Sequence, residues 1–190
     1  MSQSKNMWAY WRPVYAYTWA LMQRSSYRHL TQTLRRMETP RTVLDIGCGT
    51  GEYIKHLPKL HTYHFVDIDP KSLAIARKEC ERHLVQGRWQ VHCLDADGAL
   101  EQIGPVDVIT AVHVISVVPN PVEVIARAKT RLNHNGHLLL YISRMSKRLP
   151  RRFDGIAKAL GFRGLKLDQD GELHPRRAGM LNECYQYTRH

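Results

Sequence analysis

VLDIGCGTGEY, Val43 to Tyr53, decides how this chain folds. Its first four residues have the apolar, β-branched character of a buried strand, with an acid, Asp45, close to the strand's end. Gly47, Gly49 and Gly51 follow at alternate positions, and the expectation is a tight glycine loop that opens a helix. Without Cβ atoms, the loop's backbone can approach a ligand where a side chain would collide. A dinucleotide fingerprint is spaced G-x-G-x-x-G, whereas the third glycine here comes one residue early and Asp45 stands two residues before the first. A carboxylate there opposes a pyrophosphate and suits a ligand with a cationic amino-acid end.

Outward from this loop, strand-like runs recur at Thr42–Ile46, Tyr63–Asp67, Trp89–Leu94, Val106–Val112 and Gly136–Ile142. Between them, Ser72–Leu84 places Leu73, Ile75, Ala76, Cys80 and Leu84 near one helical face, and Pro121–Leu132 does the same with Val122, Ile125, Ala128 and Leu132. Alternation of this kind predicts a parallel sheet with right-handed crossovers, helices on both faces and a ligand beyond the carboxyl ends of the strands. Pro150–Leu160 reads as a basic amphipathic helix. Phe162–Asp168 and Met180–Thr188 then read as two strands around a turn with Gly171 and Gly179, added antiparallel to the sheet edge. The fold expected is therefore α/β: a Rossmann-like, doubly wound, seven-stranded and mostly parallel sheet with an antiparallel C-terminal strand and an N-terminal helical extension. Residues 1–41 form an aromatic and basic helical lid, and residues 42–190 the ligand-binding domain.

Two further acids sit at strand ends. Asp67 closes the second strand and can accept from both hydroxyls of a ribose, while Asp95 follows the third and can accept from an adenine amino group. Three strand-end acids beside a glycine loop make a nucleoside site with an appended positive group. These elements, in the order VLDIGCGTG, FVDIDPKSL, LDADGAL, VDVITAVHVISVV and LNHNGHLLL, resemble class I S-adenosylmethionine-dependent methyltransferases of the type 11 kind over about Val43 to Ile142. The resemblance implies S-adenosyl-L-methionine as methyl donor, with S-adenosyl-L-homocysteine as product. It implies that Gly47, Gly49 and Gly51 pass under the methionine part, that Asp45 supports the loop and the amino group, that Asp67 holds the ribose, and that Asp95 and Ala96 contact the adenine. Cys48, Ile68 and Ala111 complete the cofactor-binding set. Where such enzymes often have Pro-Gly-Gly, Asn133-His134-Asn135-Gly136 leaves Gly136 to do the turning alone.

The acceptor is harder to read, since transfer from an activated sulfonium mainly requires positioning and an unprotonated nucleophile. His113, just past the fourth strand, is the expected acceptor-side residue, together with Tyr15 and Tyr17. It can take a proton from the acceptor or simply shape the pocket. The fourth strand runs into His113-Val114-Ile115-Ser116 and lacks the Asn/Asp-Pro-Pro-aromatic motif of methyltransferases that act on planar amide or base nitrogens. VHVISVVPNP, LLLYISR and the Leu160–Arg163 segment are similar to bacterial phospholipid N-methyltransferases, which implies the amine of a lipid as acceptor. Against that similarity, Tyr17-Thr18 stands where that family commonly has Tyr-Asp, and Cys48 where it more usually has valine.

With 190 residues, 43% hydrophobic and 24% charged, the chain has the composition of one ordinary globular domain. The sequence has no run of about 18 uncharged apolar residues, the length needed to span a bilayer, and Arg12 and Pro13 break the order of a secretory signal, so a cytoplasmic protein is expected. Four cysteines without a Cys-x-x-Cys pair argue against a disulfide framework or a zinc ribbon, and the eleven histidines show no metal-ligand spacing, so no metal is expected. The formal charge of +11 is uneven: residues 1–42 carry seven Lys/Arg against one acid, residues 43–143 ten against eleven, and residues 144–190 eleven against five. Basic flanks, with Trp8, Tyr10, Trp11, Tyr15, Tyr17, Trp19 and Tyr27 in the first, suit peripheral contact with an anionic membrane at its inner face, or a lid packed over a small-molecule pocket. Nucleic acid is the less favoured partner, because no separate RNA-binding domain fits in either flank. A non-catalytic S-adenosylmethionine-binding partner subunit is the third reading.

Overall fold

The computed structural model of the protein describes residues 23–143, 172–178 and 182–190. After helix α1, described over residues 23–35, the chain runs β1 (Thr42–Ile46), a 3-10 turn (Ile54–His56), β2 (Thr62–Asp67), α2 (Pro70–His83), β3 (Trp89–Cys93) and α3 (Ala96–Gln102). β4 (Val106–Val112), α4 (Pro121–Thr130), β5 (Leu132–Ser143), β6 (His174–Arg177) and β7 (Asn182–Thr188) follow. The seven strands form one sheet in the order β3-β2-β1-β4-β5-β7-β6, with β7 antiparallel to both neighbours and the remaining pairs parallel. This is the Rossmann-like, doubly wound sheet that the strand and helix alternation predicts.

Both faces of the central strands are buried, which is why they read as continuous apolar runs rather than as alternating ones. Leu44, Ile46, Ile109, Ala111, Leu138 and Leu140 pack with α3 and α4, whereas Val43, Phe65, Val108, Leu139 and Tyr141 pack with α1, the 3-10 turn and α2. Leu30 and Leu34 of α1 are each about 1% exposed. The described part of the expected lid is thus core structure packed on the sheet; residues 1–22 lie outside the described residues.

Several local expectations shift. The glycine loop leads not into a full helix but into the three-residue 3-10 turn, and helix α3, absent from the periodicity reading, forms because Asp95 caps it by accepting from the Gly98 N–H at 2.7 Å. Arg131 closes the other end of α3, donating to the carbonyls of Leu100 and Glu101. Helix α2 starts two residues early, since Asp69 caps it and Pro70 takes the first helical position. Ile75 and Val122, expected on apolar faces, are 50% and 74% exposed. Ile75 lies about 100° around the helix from Ala76, which together with Leu73 and Cys80 defines the buried face. In the Asn133–Gly136 turn the left-handed residue is Asn135, at φ 59°. Gly136 is needed for close approach instead, as a Cβ there would lie 2.8 Å from the Asn133 carbonyl. The expected strand Phe162–Asp168 and helix Pro150–Leu160 lie outside the described residues, and the outer partner of β7 is His174–Arg177, inside the stretch read as a turn.

Candidate functional site

The site is built at the carboxyl ends of β1, β2 and β3. Gly47, Gly49 and Gly51 all adopt the left-handed conformation, at φ 76°, 57° and 70°. A Cβ at Gly47 would sit 2.6 Å from the Val114 side chain, whereas one at Gly49 would meet no atom of the described residues within 4 Å. The first glycine therefore lets the loop touch the segment after β4, and the second leaves open space above the loop. The Gly47 and Cys48 N–H groups donate to the Val66 carbonyl at 2.8 and 3.0 Å, and the Gly49 N–H donates to Asp67 Oδ2 at 2.8 Å. Asp67 Oδ1 accepts from the Asp69 N–H at 2.9 Å. A carboxylate offers about four acceptor positions, so these two bonds orient Asp67 and leave capacity for a diol.

Asp45 is 4% exposed, with Tyr53 donating to Oδ2 and Thr110 to Oδ1. Burial pushes its carboxyl up to about 7, opposed by the Thr110 hydrogen bond and reinforced by the nearby Asp67 charge. Its role is to knit the loop's helical side, through Tyr53, to β4, through Thr110. Tyr53 in turn stacks on Tyr27 of α1, with centroids 4.2 Å apart and rings 7° from parallel. Burial holds the Tyr27 phenol far above its usual range, with the Asp45, Cys48, Glu52 and Asp67 charges acting in the same direction.

The remaining predicted cofactor residues divide. Ile68 is 72% exposed next to Asp67, an apolar side chain that a flat base could cover. Asp95 is exposed one strand further along, where the Leu94 N–H donates to the Asp67 carbonyl at 3.2 Å, and Ala96 begins α3 behind it. Cys48 and Ala111 are buried, the first in the α1 side of the core and the second in the α3 side, so they shape the site from beneath. Burial raises the Cys48 thiol well above its normal range and keeps it neutral. Open space over Gly49, the oriented Asp67 and the exposed Ile68 fit S-adenosylmethionine.

Of the residues expected on the acceptor side, His113 is 5% exposed and takes a left-handed φ of 62°. Its Nε2 lies 3.1 Å from Ser26 Oγ of α1, its backbone N–H donates to the Tyr141 carbonyl at 2.8 Å, and burial lowers its imidazole to about 4. His113 is thus a neutral ring locked between β4, β5 and α1. Tyr15 and Tyr17 lie outside the described residues. His56, His61 and His64 diverge: His61 is buried and bridges the Leu34 carbonyl and the Arg41 N–H, His64 Nδ1 faces His92 Nε2 at 3.1 Å, and His56 is exposed. Among the described residues, no three His, Cys, Asp or Glu side chains form a metal-binding group.

Tyr53, Thr110, Tyr27 and Ser26 received no site role from the sequence. Thr110 carried a usable signal, being a hydroxyl in the middle of an apolar buried strand and therefore in need of a partner; Asp45 is its register neighbour. Ser26 and Tyr27 carried none, because their place depends on where α1 docks.

The Methyltransferase domain family matches residues 44–138, half of the chain. The chain belongs to this family, the class I S-adenosylmethionine-dependent methyltransferases that its motifs resemble. Malonyl-[acyl-carrier protein] O-methyltransferase of Halalkalibacterium halodurans is 33% identical over 131 residues, covering 62% of this chain and 46% of its own length. The tRNA U34 carboxymethyltransferase of Shewanella amazonensis is 29% identical over 105 residues, covering 54% and 31%. The chain therefore spans less than half the length of these curated relatives. Among solved structures, magnesium protoporphyrin IX methyltransferase from Synechocystis PCC 6803 with bound SAH shares the fold at a TM-score of 0.64 and 16% identity, over 89% of this chain and 83% of that one.

Proposed function

We propose that this chain is an S-adenosylmethionine-dependent methyltransferase acting on a small or amphiphilic acceptor, with the amine of a lipid as the sharpest case. The observation that carries the reading is the left-handed glycine loop tied by Gly49 to Asp67, beside an exposed Ile68. Asp67 binds the ribose, Ile68 covers one face of the adenine, Asp95 accepts from its amino group, and the Asp45–Tyr53 pair holds the loop under the methionine part. When bound, the cofactor supplies an electrophilic methyl group on a sulfonium. The protein's task is then to align an acceptor lone pair with that methyl group and to keep water out. His113, neutral at physiological pH, shapes the acceptor pocket as a positioning residue. Among the described residues no helix is long and apolar enough to cross a membrane, and peripheral contact with an anionic membrane remains part of the proposal.

A second reading, transfer to RNA, is favoured by the tRNA-modifying relatives and by the basic flanks. Incubation of the protein with radiolabelled S-adenosylmethionine and a total cell extract separates the two. Label is expected in the organic or small-molecule fraction. Label in the nucleic-acid fraction favours the second reading, and bound cofactor without labelled product would establish a non-catalytic subunit.

A further inference from the structure

A cavity of about 520 Å³ opens between α1 and the turn after the glycine loop. Its walls carry Arg24, Arg28 and Arg35 from α1 and Lys55 from the turn, against a single acid, Glu52, among the described residues. Arg24 and Arg28 stand one helical turn apart, and Arg35 returns to the same face seven residues on. The Arg35 guanidinium donates to the His56 carbonyl at 2.9 Å, which ties it to the opposite wall. No described acid forms an ion pair with Arg24, Arg28 or Lys55, although ion pairs exist elsewhere, such as Lys129–Glu172 at 2.8 Å. Like charges gathered in a concavity repel each other and focus an attractive field on an anion. Guanidinium forks match phosphate oxygens in pairs, and four cations exceed what one carboxylate neutralises. Tyr53 links this cavity to the loop, since its ring lines the wall while its hydroxyl reaches Asp45.

We propose that this cavity is a phosphate-binding site that anchors a phosphate-bearing acceptor, whether a soluble phosphorylated compound or a lipid headgroup. The anchoring role rests on the methyltransferase reading above; the binding of phosphate does not. Calorimetry of the full chain with inorganic phosphate tests it, using Arg24→Gln/Arg28→Gln beside Lys59→Gln/Lys78→Gln, which removes the same charge from exposed positions outside the cavity. The arginine variant is expected to bind phosphate about tenfold more weakly or worse, and the lysine variant to bind it as the parent does. Both variants should retain S-adenosylmethionine affinity within about twofold. No phosphate binding by the parent, or equal loss in the two variants, overturns the proposal. So does a matching loss of S-adenosylmethionine affinity in the arginine variant, which would make the cavity part of the cofactor site. Failure of the parent to bind S-adenosylmethionine while it still binds phosphate would instead sink the methyltransferase reading alone. Phosphatidylglycerol vesicles that bind the parent, release it to free phosphate and ignore the arginine variant assign the headgroup; phosphate binding without vesicle binding assigns a soluble compound. Steeply salt-dependent binding of single-stranded RNA, far tighter than phosphate and lost in the arginine variant, would overturn the proposal in favour of a nucleic-acid groove.

Discussion

The ends of β1 and β2 and the end of β4 lie side by side in the sheet yet are stabilised in opposite ways. At β1 and β2, carboxylates and backbone N–H groups satisfy one another over short stretches of chain: Gly49 to Asp67, Asp69 to Asp67, Tyr53 to Asp45. At β4, His113 is desolvated and neutral, and Ser26, 87 residues away in the chain, supplies its partner from α1. A polar site made by local turns binds a defined ligand in a defined place. The surroundings of His113 depend instead on how a distant helix docks.

The strongest way to break this division is Asp67→Ala. It should weaken S-adenosylmethionine binding by roughly 3 kcal/mol or more, about two orders of magnitude, because the ribose contacts go and the Gly49 N–H loses its acceptor. Calorimetry showing unchanged affinity would remove Asp67 from the cofactor site. Gly47→Ala should cost about 2 to 3 kcal/mol of folding stability in denaturant titrations, since it combines a left-handed backbone with a Cβ that collides with Val114. A loss as small as that of an ordinary surface substitution would mean that the two regions do not touch.

The contrast sharpens in the pH dependence of stability. Asp45 holds its proton more tightly folded than unfolded, so its contribution is full below about pH 4 and is lost as pH rises toward 7. His113 holds its proton less tightly folded, so its contribution is full above about pH 6.5 and is lost as pH falls toward 4. In the parent the two slopes offset each other. Relative to the parent, Asp45→Asn should therefore make the slope of stability against pH between 4.5 and 6.5 more positive and His113→Gln make it more negative, each by at most about 1.4 kcal/mol per pH unit. Urea melts at the two pH values check the signs, and parallel behaviour of the variants would refute the assignment. The smallest effect belongs to Ser26→Ala: about 1 kcal/mol of stability, with S-adenosylmethionine affinity unchanged. A loss of cofactor affinity in that variant would join the two regions into one site.

Much of the fold was legible because each buried strand announces itself. VLDI and VDVITAV are apolar on both faces, and the parallel order follows from the helices between them. What escaped were elements held by capping and packing rather than by periodicity. Helix α3 is only seven residues long and depends on Asp95 and Arg131, and the 3-10 turn replaces the helix that glycines usually open. In the site, Asp45, Gly47 and Gly49 were readable because spacing along one strand and one loop already places them together, and Asp67 because it closes the next strand of a parallel alternation. Thr110 showed only that it needs a partner, and Tyr27 and Ser26 showed nothing, because nothing local says which acid faces Thr110 or which face of α1 meets the loop.

The sequence by itself determined the alternating architecture, the tight glycine loop and the acids at the ends of β1, β2 and β3, since these depend on backbone freedom and on a side chain's place along its own strand. Only the tertiary structure decided that Asp45 is sealed beneath two hydroxyls, that His113 is a neutral ring pinned to α1, and that four cations from two separated segments enclose a cavity. Burial and long-range docking set those properties, and neither is written in the spacing of residues along the chain.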